Sequence, residues 1–397
     1  MTSKEWKKCK IGELCNSVSD THKRNDKKVI LINTSDVFDG KILNNIPIEN
    51  KNLKGQFKKT FKKDDILYSE IRPANRRFAY VNIGNTDNYI ASTKLMVLRP
   101  NKNKILPKYL YLILKSDEII KELQHLAETR SGTFPQITFN SELANIEILL
   151  PPLVTQDKIA HILSSLDDKI ELNNKINQNL EQQAQAIFDK YIKIPCNYLK
   201  TGTIRDYCNV KSGFAFKSSW WKDSGVKVIK IKTIDNESIN FTECSFVDKE
   251  KISIAEDFIV QGGDLLIAMT GATIGKFAIV PKIDEVLLVN QRVGKFFLGT
   301  HPIKKLPFLY CTLKQQDIIN DIINKGQGSA QPNISSTDIL NTSCYILENV
   351  ELEKFNLICE PIFEKIITNK CENEKLTQLR DTLLPKLMSG EIDVDKI

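Results

Sequence analysis

Two polar segments interrupt apolar runs at equivalent places in the chain, and their residue types suit contacts with nucleic acid. They are residues 72–77 (RPANRR) and residues 270–276 (TGATIGK). Each is expected to form a turn between two strands with its side chains directed outwards. Arginine, lysine, asparagine and threonine on a protruding turn can contact base edges and phosphates. A solvated hairpin tip explains the same pattern equally well.

Two further pairs of polar stretches recur in the same way. Residues 129–136 and 326–333 are loops rich in Gly, Ser and Gln that follow a helix-like stretch. Their hydrogen-bond donors suit a phosphate, and the alternative is that they are simple connecting loops. Residues 290–292 (NQR) lie opposite residues 92–94 (STK). The candidate DNA contacts are Arg72, Asn75, Arg76, Arg77, Lys94, Arg130, Thr133 and Gln136, then Lys217, Thr270, Thr273, Lys276, Gln291, Arg292, Gln327, Ser329, Gln331 and Asn333.

Catalytic motifs are missing from the sequence. Residues 271–276 resemble a P-loop, but three residues separate the two glycines where four are needed, and Phe277 replaces the Ser or Thr. The chain has no G-x-S-x-G, H-E-x-x-H or G-x-G-x-x-G motif, and its four histidines are scattered. Its nine cysteines form no C-x-x-C pair. We therefore assign no catalytic residue and no metal ligand.

Composition indicates an ordinary globular protein. The chain has 397 residues, of which 41% are hydrophobic and 26% are charged, which excludes a disordered tail protein. No run approaches 18 apolar residues and the N-terminus has no apolar signal region, so we expect a cytoplasmic protein that does not enter a membrane. The cysteine spacing favours free thiols in a reducing compartment.

Positive charge is concentrated in two parts of the chain. The net charge of +7 divides into +9 for residues 1–150, −1 for 151–194, +2 for 195–350 and −3 for 351–397. This distribution suits a polyanion bound by the first and third parts and a protein partner along the other two. Because the third part is only weakly basic, it must bind a polyanion by something other than net charge.

The chain repeats itself at an offset of about 199 residues. Residues 65–81 and 264–280 share Asp, Leu, Phe, Ala and Val at the same places, and three more pairs of segments match in the same order. Short β-rich runs and a helix-like stretch in each copy predict a compact α+β domain. The chain is therefore interpreted as two copies of one unit.

Each copy ends in a long helix with a heptad seam. Apolar residues from Ile159 to Tyr191 follow a 4-3-4-3 spacing, and the second copy repeats the seam from Phe355 to Leu387, with Arg380 as an exception. Both seams carry asparagine at two matched positions, Asn173 and Asn177 in one and Asn369 and Asn373 in the other. An antiparallel pair, acting as a rigid rod between the domains, would place Asn173 against Asn373 and Asn177 against Asn369. The alternative is a helix that lies on its own domain.

Several segments together resemble the specificity subunits of type I restriction–modification systems. In the second copy these are residues 212–218 (SGFAFKS), 225–231, 263–276 and 332–335 (PNIS), and residues 149–170 resemble the helical spacer of that family. The likeness covers the whole chain, including the duplication. The first copy departs from the family pattern, because it has RPANRR in place of a Gly-rich turn and lacks the GFAFK segment.

The resemblance implies a function without catalysis in this chain. In the family, each recognition domain reads one half of a bipartite DNA site, and the paired helices set the gap and dock two methyltransferase subunits. Restriction subunits join for cleavage. S-adenosylmethionine, ATP and Mg²⁺ are expected in the partner subunits, and no cofactor is expected in this chain.

These observations predict an α+β fold with a pseudo-twofold internal repeat. Two target recognition domains, at 1–150 and 195–350, are joined by long antiparallel coiled-coil helices at 151–194 and 351–397. The expected function is the specificity subunit of a type I complex, which binds double-stranded DNA at an asymmetric bipartite site. The competing interpretation is a non-catalytic, duplicated coiled-coil scaffold that binds only proteins.

Overall fold

A computed structural model describes residues 6–23, 26–51, 53, 55–129, 134–193, 199–235, 237–326 and 332–396. The chain forms two compact units. Unit 1 contains Met1–Asp167 and Thr377–Ile397, and unit 2 contains Asp168–Leu376. Two long helices, α3 (Leu153–Lys193) and α8 (Asn349–Met388), supply residues to both units.

Unit 1 is built on short strands and two helices. The strands are β1 (Lys7–Lys10), β2 (Cys15–Val18), β3 (Lys28–Ile32), β4 (Val37–Phe38), β5 (Lys41–Ile42), β6 (Ile48–Glu49), β7 (Phe57–Lys59), β8 (Ile66–Ser69), β9 (Phe78–Tyr80), β10 (Tyr89–Ser92), β11 (Leu95–Pro100) and β12 (Glu147–Leu150). The helices are α1 (Pro107–Lys115) and α2 (Asp117–Thr129). One four-stranded sheet has the order β2-β11-β8-β9, and a second has the order β6-β3-β10-β7, in which β3 and β10 are parallel. Strand β1 pairs with β12, and β4 with β5 forms a hairpin.

Unit 2 repeats this plan. The strands are β13 (Leu199–Thr203), β14 (Asn209–Ser212), β15 (Trp221–Lys222), β16 (Val226–Ile229), β17 (Ile234–Asp235), β18 (Ser238–Ile239), β19 (Ser245–Val247), β20 (Ile259–Val260), β21 (Leu265–Ala268), β22 (Phe277–Ile279), β23 (Leu287–Val289), β24 (Val293–Phe297) and β25 (Ser343–Leu347). The helices are α4 (Lys251–Ile254), α5 (Leu306–Leu313), α6 (Gln316–Lys325) and α7 (Ser336–Leu340).

Most sheets of unit 2 have the connections of their counterparts in unit 1, although the second large sheet has five strands in the order β15-β19-β16-β23-β20 where unit 1 has four. The order β14-β24-β21-β22 matches β2-β11-β8-β9, the pair β13–β25 matches β1–β12, and the hairpin β17–β18 matches β4–β5. Strands β16 and β23 are parallel, as are β3 and β10. The predicted α+β class and internal repeat are therefore confirmed.

Each unit completes its core with part of both long helices. In unit 1, Ile159 and Leu163 of α3 and Leu387 of α8 join the core around Tyr109 of α1. In unit 2, a matching core includes residues of α3, α5 and α8, among them Phe188, Phe308, Phe355 and Phe363. Burial of such apolar side chains fixes the helices to the sheets. The seam residues therefore have two roles. Part of each seam packs on a domain, as the alternative interpretation expected, and part pairs the two helices.

The asparagine pairs lie within unit 2 and confirm the antiparallel arrangement. Asn173 Nδ2 donates to Asn373 Oδ1 at 2.9 Å, and Asn369 Nδ2 donates to Asn177 Oδ1 at 2.8 Å. The side chains of Asn173, Asn177 and Asn369 are buried. Because a buried amide needs a partner, the pairs favour one register of the two helices.

Arg380, the exception in the second seam, lies in unit 1 and has a carboxylate partner there. Its Nη1 donates to Asp167 Oδ1 at 2.8 Å, and Lys115 Nζ donates to Asp167 Oδ2 at 2.7 Å. Burial acts to raise the pKa of Asp167, but the two cations outweigh it and hold the pKa below its usual value. The arginine is therefore accommodated at a partly buried seam position by two ion pairs to Asp167, which join α1, α3 and α8.

A double-mutant cycle tests the pairing of Asn177 with Asn369. Asn369→Leu leaves the buried amide of Asn177 without its partner, so we expect a loss of about 1–3 kcal/mol in the free energy of unfolding. Asn177→Leu with Asn369→Leu should recover most of that loss or exceed the wild type, since two leucines fit an apolar seam. Urea titration measures all four proteins. Losses that simply add in the double variant would contradict the pairing.

Candidate nucleic-acid interface

The turn between β8 and β9 presents arginine from a strained backbone. Residues 73–75 form one 3-10 turn, and Arg72 (φ 45°) and Arg76 (φ 53°) on either side of it adopt the left-handed conformation. That conformation is rare for residues other than glycine and typically costs about 1–3 kcal/mol. Arg72 and Asn75 are exposed, while Pro73 is buried and anchors the turn. Strain of this kind is often retained where it directs a functional side chain.

Three of the polar segments of unit 1 meet at this turn. Arg72 N donates to Pro135 O at 3.1 Å, and Ile71 pairs with Gln136 in an antiparallel bridge. Glu70 N donates to Lys94 O at 3.0 Å. The backbone therefore joins the turn, the segment before β11 and the segment after α2. We call this arrangement, residues 70–77, 92–94 and 134–136, the first junction.

Unit 2 contains an equivalent arrangement. Gly271 N donates to Pro332 O at 3.0 Å, Thr270 pairs with Asn333 in an antiparallel bridge, and Met269 N donates to Arg292 O at 2.9 Å. These bonds reproduce those of the first junction in a different sequence. We call residues 269–276, 290–292 and 332–333 the second junction.

The exposed Lys217 lies on a segment that joins the second junction through its backbone. Gln291 N donates to Phe214 O at 2.9 Å, and Phe214 N donates to Val289 O at 2.8 Å. Five of the candidate contacts, Arg130, Thr133, Gln327, Ser329 and Gln331, lie outside the described residues. The other candidate contacts belong to the two junctions or to this neighbouring segment.

Some cations of the junctions already have acidic partners. Arg76 donates to Asp39 (Nε to Oδ1, 3.2 Å) and to Asp117 (Nη1 to Oδ1, 2.8 Å). Burial alone would lower the pKa of Arg76, but the two carboxylates raise it above its ordinary value. Lys276 Nζ donates to Asp235 Oδ1 at 2.6 Å. Because Asp39 and Asp235 lie in the equivalent hairpins β4–β5 and β17–β18, each unit ties its turn to its hairpin by an ion pair.

The hairpins themselves are fixed at their tips. Gly40 has a φ of 95°, and a Cβ there would lie 2.1 Å from the hydroxyl of Tyr111, so only glycine fits. At the equivalent tip Glu237 has a φ of 62°, and it accepts hydrogen bonds from Tyr310 Oη and Lys314 Nζ, both at 2.6 Å. Sequence reasoning missed the hairpins and their aspartates. The strand register of the two hairpins relates Asp235 to Phe38 and not to Asp39, so the sequence repeat gave no signal for these aspartates.

Other cations of the junctions are available to a ligand. Arg72 and Arg292 are exposed, and neither forms an ion pair with any carboxylate in the part of the chain that the structure describes. Arg72 lies over the ring of Phe134, 6.0 Å from its centroid, and that ring is 61% exposed. Lys94 is 52% exposed and makes a long contact of 3.7 Å with Glu70. Arg77 instead donates to Ser35 O and Val37 O, and so supports the hairpin β4–β5.

The junctions can therefore bind an anion with guanidinium groups held by ordered backbone. Among the described residues, no cluster of three or more His, Cys, Asp or Glu side chains has an arrangement that could hold a metal ion. No helix within the described ranges is both long and apolar enough to cross a membrane.

Comparisons with known proteins agree with this picture. The family model described as type I restriction modification DNA specificity domain matches residues 3–182 and 199–346. The chain is 30% identical to the type I restriction enzyme HindI specificity subunit of Haemophilus influenzae, over 98% of this chain and 100% of that protein. It is 26% identical to the MjaVIII specificity subunit of Methanocaldococcus jannaschii, over 76% and 74% of the two chains.

A solved structure shares the fold. The crystal structure of a type I restriction–modification system S subunit from M. genitalium matches with a TM-score of 0.55 and 18% identity, and 96% of each chain is covered. At this identity the likeness concerns the fold alone. It extends to both α+β copies and both long helices.

Proposed function

Because the chain belongs to the family of type I restriction–modification DNA specificity subunits, we propose that each of its α+β copies reads one half of an asymmetric, bipartite DNA site. A specificity subunit is the non-catalytic, DNA-recognising member of its system. The two proposed recognition domains are residues 1–150 and 195–350. The first and second junctions are the parts that contact base edges.

The observation that supports this proposal most strongly is the repeated junction. Each junction holds an exposed arginine with no carboxylate partner among the described residues, Arg72 in the first and Arg292 in the second. The two arginines lie at different positions of the shared backbone arrangement, because Arg72 corresponds to Gly271 and Arg292 corresponds to Lys94. Arginine is the side chain most often used to read guanine in the major groove. The residues around the two arginines differ, so the two half-sites should differ as well, and a palindromic site would count against the proposal.

The long helices have a separate role in this proposal. The stretches at 151–194 and 351–397 carry net charges of −1 and −3, which does not suit a DNA contact. They fix the unread gap between the half-sites and dock two methyltransferase subunits, and restriction subunits join for cleavage. S-adenosylmethionine, ATP and Mg²⁺ belong to those partners.

Salt dependence tests DNA binding against the scaffold alternative. We would measure the affinity of the complete complex for duplex DNA by fluorescence anisotropy at salt concentrations from about 50 to about 300 mM. A DNA-reading subunit should lose affinity with a slope of about −0.9 in log K against log salt for each phosphate that it neutralises. It should also prefer one sequence over a scrambled duplex of the same length. A slope near zero with no sequence preference would favour a scaffold that binds only proteins.

A further inference from the structure

Unit 2 carries a cluster of aromatic side chains next to the second junction. Phe214 stacks on Trp220 with ring centroids 6.1 Å apart and an angle of 10° between the planes. Phe214 also packs on Phe216 and Phe258, and Phe216 packs on Trp221, at 5.0 to 5.7 Å. Both tryptophans are partly exposed.

Three lysines lie over these tryptophans. Lys230 Nζ is 3.4 Å from the ring centroid of Trp221, and Lys251 Nζ and Lys217 Nζ are 4.6 and 5.6 Å from that of Trp220. Cation–π attraction holds an ammonium in such a position without neutralising its charge. We call these five residues the lysine–tryptophan platform.

The charge of the three platform lysines is not offset by a nearby carboxylate among the described residues. None of the three forms an ion pair with a carboxylate in the described ranges. By contrast, Lys222, on the neighbouring strand β15, lies 3.7 Å from Asp248. The platform is therefore a local concentration of positive charge in a domain whose net charge is only +2.

Partial burial destabilises the charged form of Lys230 when no anion is bound. Burial lowers the pKa of Lys230 below its usual value, and the nearby Lys232 lowers it further. An anion placed on the platform would offset both effects. The indole rings also restrict the lysine side chains beforehand, so less conformational entropy is lost when an anion binds.

The platform is continuous with the second junction through the backbone. Phe214 O accepts from Gln291 N at 2.9 Å, and Ile229 O, one residue before Lys230, accepts from Asn290 N at 2.9 Å. A ligand that lies along the second junction can therefore reach the platform. The first copy lacks the GFAFK segment that supplies Phe214, Phe216 and Lys217.

We propose that the lysine–tryptophan platform binds backbone phosphates of double-stranded DNA beside the half-site that the second copy reads. This inference rests on the proposed function and deepens it. The platform gives the weakly basic second copy an anchor that does not depend on sequence, while the more basic first copy, with a net charge of +9, uses charge spread over its surface. An acidic protein surface is the alternative ligand.

The test uses Lys217→Gln, Lys230→Gln and Lys251→Gln together, in the complete complex with the methyltransferase subunits. The salt slope of duplex binding should become smaller by about 0.9 for each phosphate that is no longer neutralised, up to about 2.7. Cognate and scrambled duplexes should weaken by the same factor, and the methylated sequence should not change. Lys222→Gln is the matched control, because its ammonium already faces Asp248, and it should leave the slope almost unchanged.

Phosphate-ethylation interference on the wild-type complex gives a second readout that needs no variant. Ethylated phosphates beside one half-site should block binding, and that interference should vanish in the triple variant. An unchanged slope and interference pattern in the triple variant, with specific binding by the wild type, would overturn the platform and leave the proposed function intact. Dissociation of methyltransferase subunits from the triple variant with an unchanged slope would assign the platform to protein. A wild-type complex without sequence preference would instead contradict the proposed function itself.

Discussion

Arg292→Ala should relax the recognised DNA sequence at one position of one half-site and leave the other half-site unchanged. An arginine that donates two hydrogen bonds to a base typically contributes about 1–3 kcal/mol of discrimination, which corresponds to a factor of about 5 to 150. Arg292 is exposed and its backbone is held by Met269. Arg72→Ala should have the same effect on the opposite half-site. The measurement is selection of bound duplexes from a random pool, followed by sequencing.

Arg205→Ala serves as the control for this pair of variants. Arg205 is an exposed arginine of unit 2 outside the second junction, and its guanidinium donates to Asn341. Its removal should leave the selected sequence unchanged. If Arg72→Ala and Arg292→Ala altered the same half-site, or weakened all duplexes alike, the two junctions would not be the reading surfaces.

Lys295→Met should have the largest effect on stability. Lys295 Nζ donates to Asp264 Oδ2 at 2.8 Å, and the two side chains are 14% and 2% exposed. Removing one partner of a buried ion pair leaves an uncompensated charge and typically costs about 3–5 kcal/mol. Asp264 would retain its hydrogen bond from Gln261 N, which replaces only part of the loss. Urea titration of the variant measures the change in the free energy of unfolding.

The loss caused by Lys295→Met should depend on pH. Burial already raises the pKa of Asp264 above its usual value, against the opposing effect of Lys295. Without the lysine this pKa rises further. Because the folded state then binds the proton of Asp264 more tightly than the unfolded state does, the variant becomes more stable as the pH falls. The loss should therefore be larger at about pH 8 than at about pH 5.5. Lys222→Met, which breaks an exposed pair, should cost less than about 1 kcal/mol at either pH. A loss of less than about 1 kcal/mol for Lys295→Met would contradict the stabilising role of its ion pair with Asp264.

The repeat and the helix pairing could be predicted from the sequence because both produce matched residues at a regular spacing. Matched residues at one offset identify two copies, and Asn173 and Asn177 recur as Asn369 and Asn373 in an apolar seam. An antiparallel pair with matched polar positions has one register that places Asn173 against Asn373 and Asn177 against Asn369. The structure shows that register.

The partners of the charged side chains could not be predicted from the sequence. Arg72 and Arg76 lie in one polar segment, yet Arg72 has no carboxylate partner among the described residues while Arg76 contacts Asp39 and Asp117, which are 37 and 41 residues away. Such contacts depend on where two hairpins and a helix meet in space. Arg380 shows the same limit, because only the contact with Asp167 explains an arginine in the seam.

Methylation of the host DNA shows whether this chain supplies the sequence specificity of a type I system. The most direct measurement is co-expression with the methyltransferase subunit of its own system, followed by single-molecule sequencing of the host DNA for N6-methyladenine. We expect one asymmetric motif with two different half-sites and a fixed gap, present only when this chain is expressed. A palindromic motif, or no new methylation although the two proteins co-purify, would contradict this expectation.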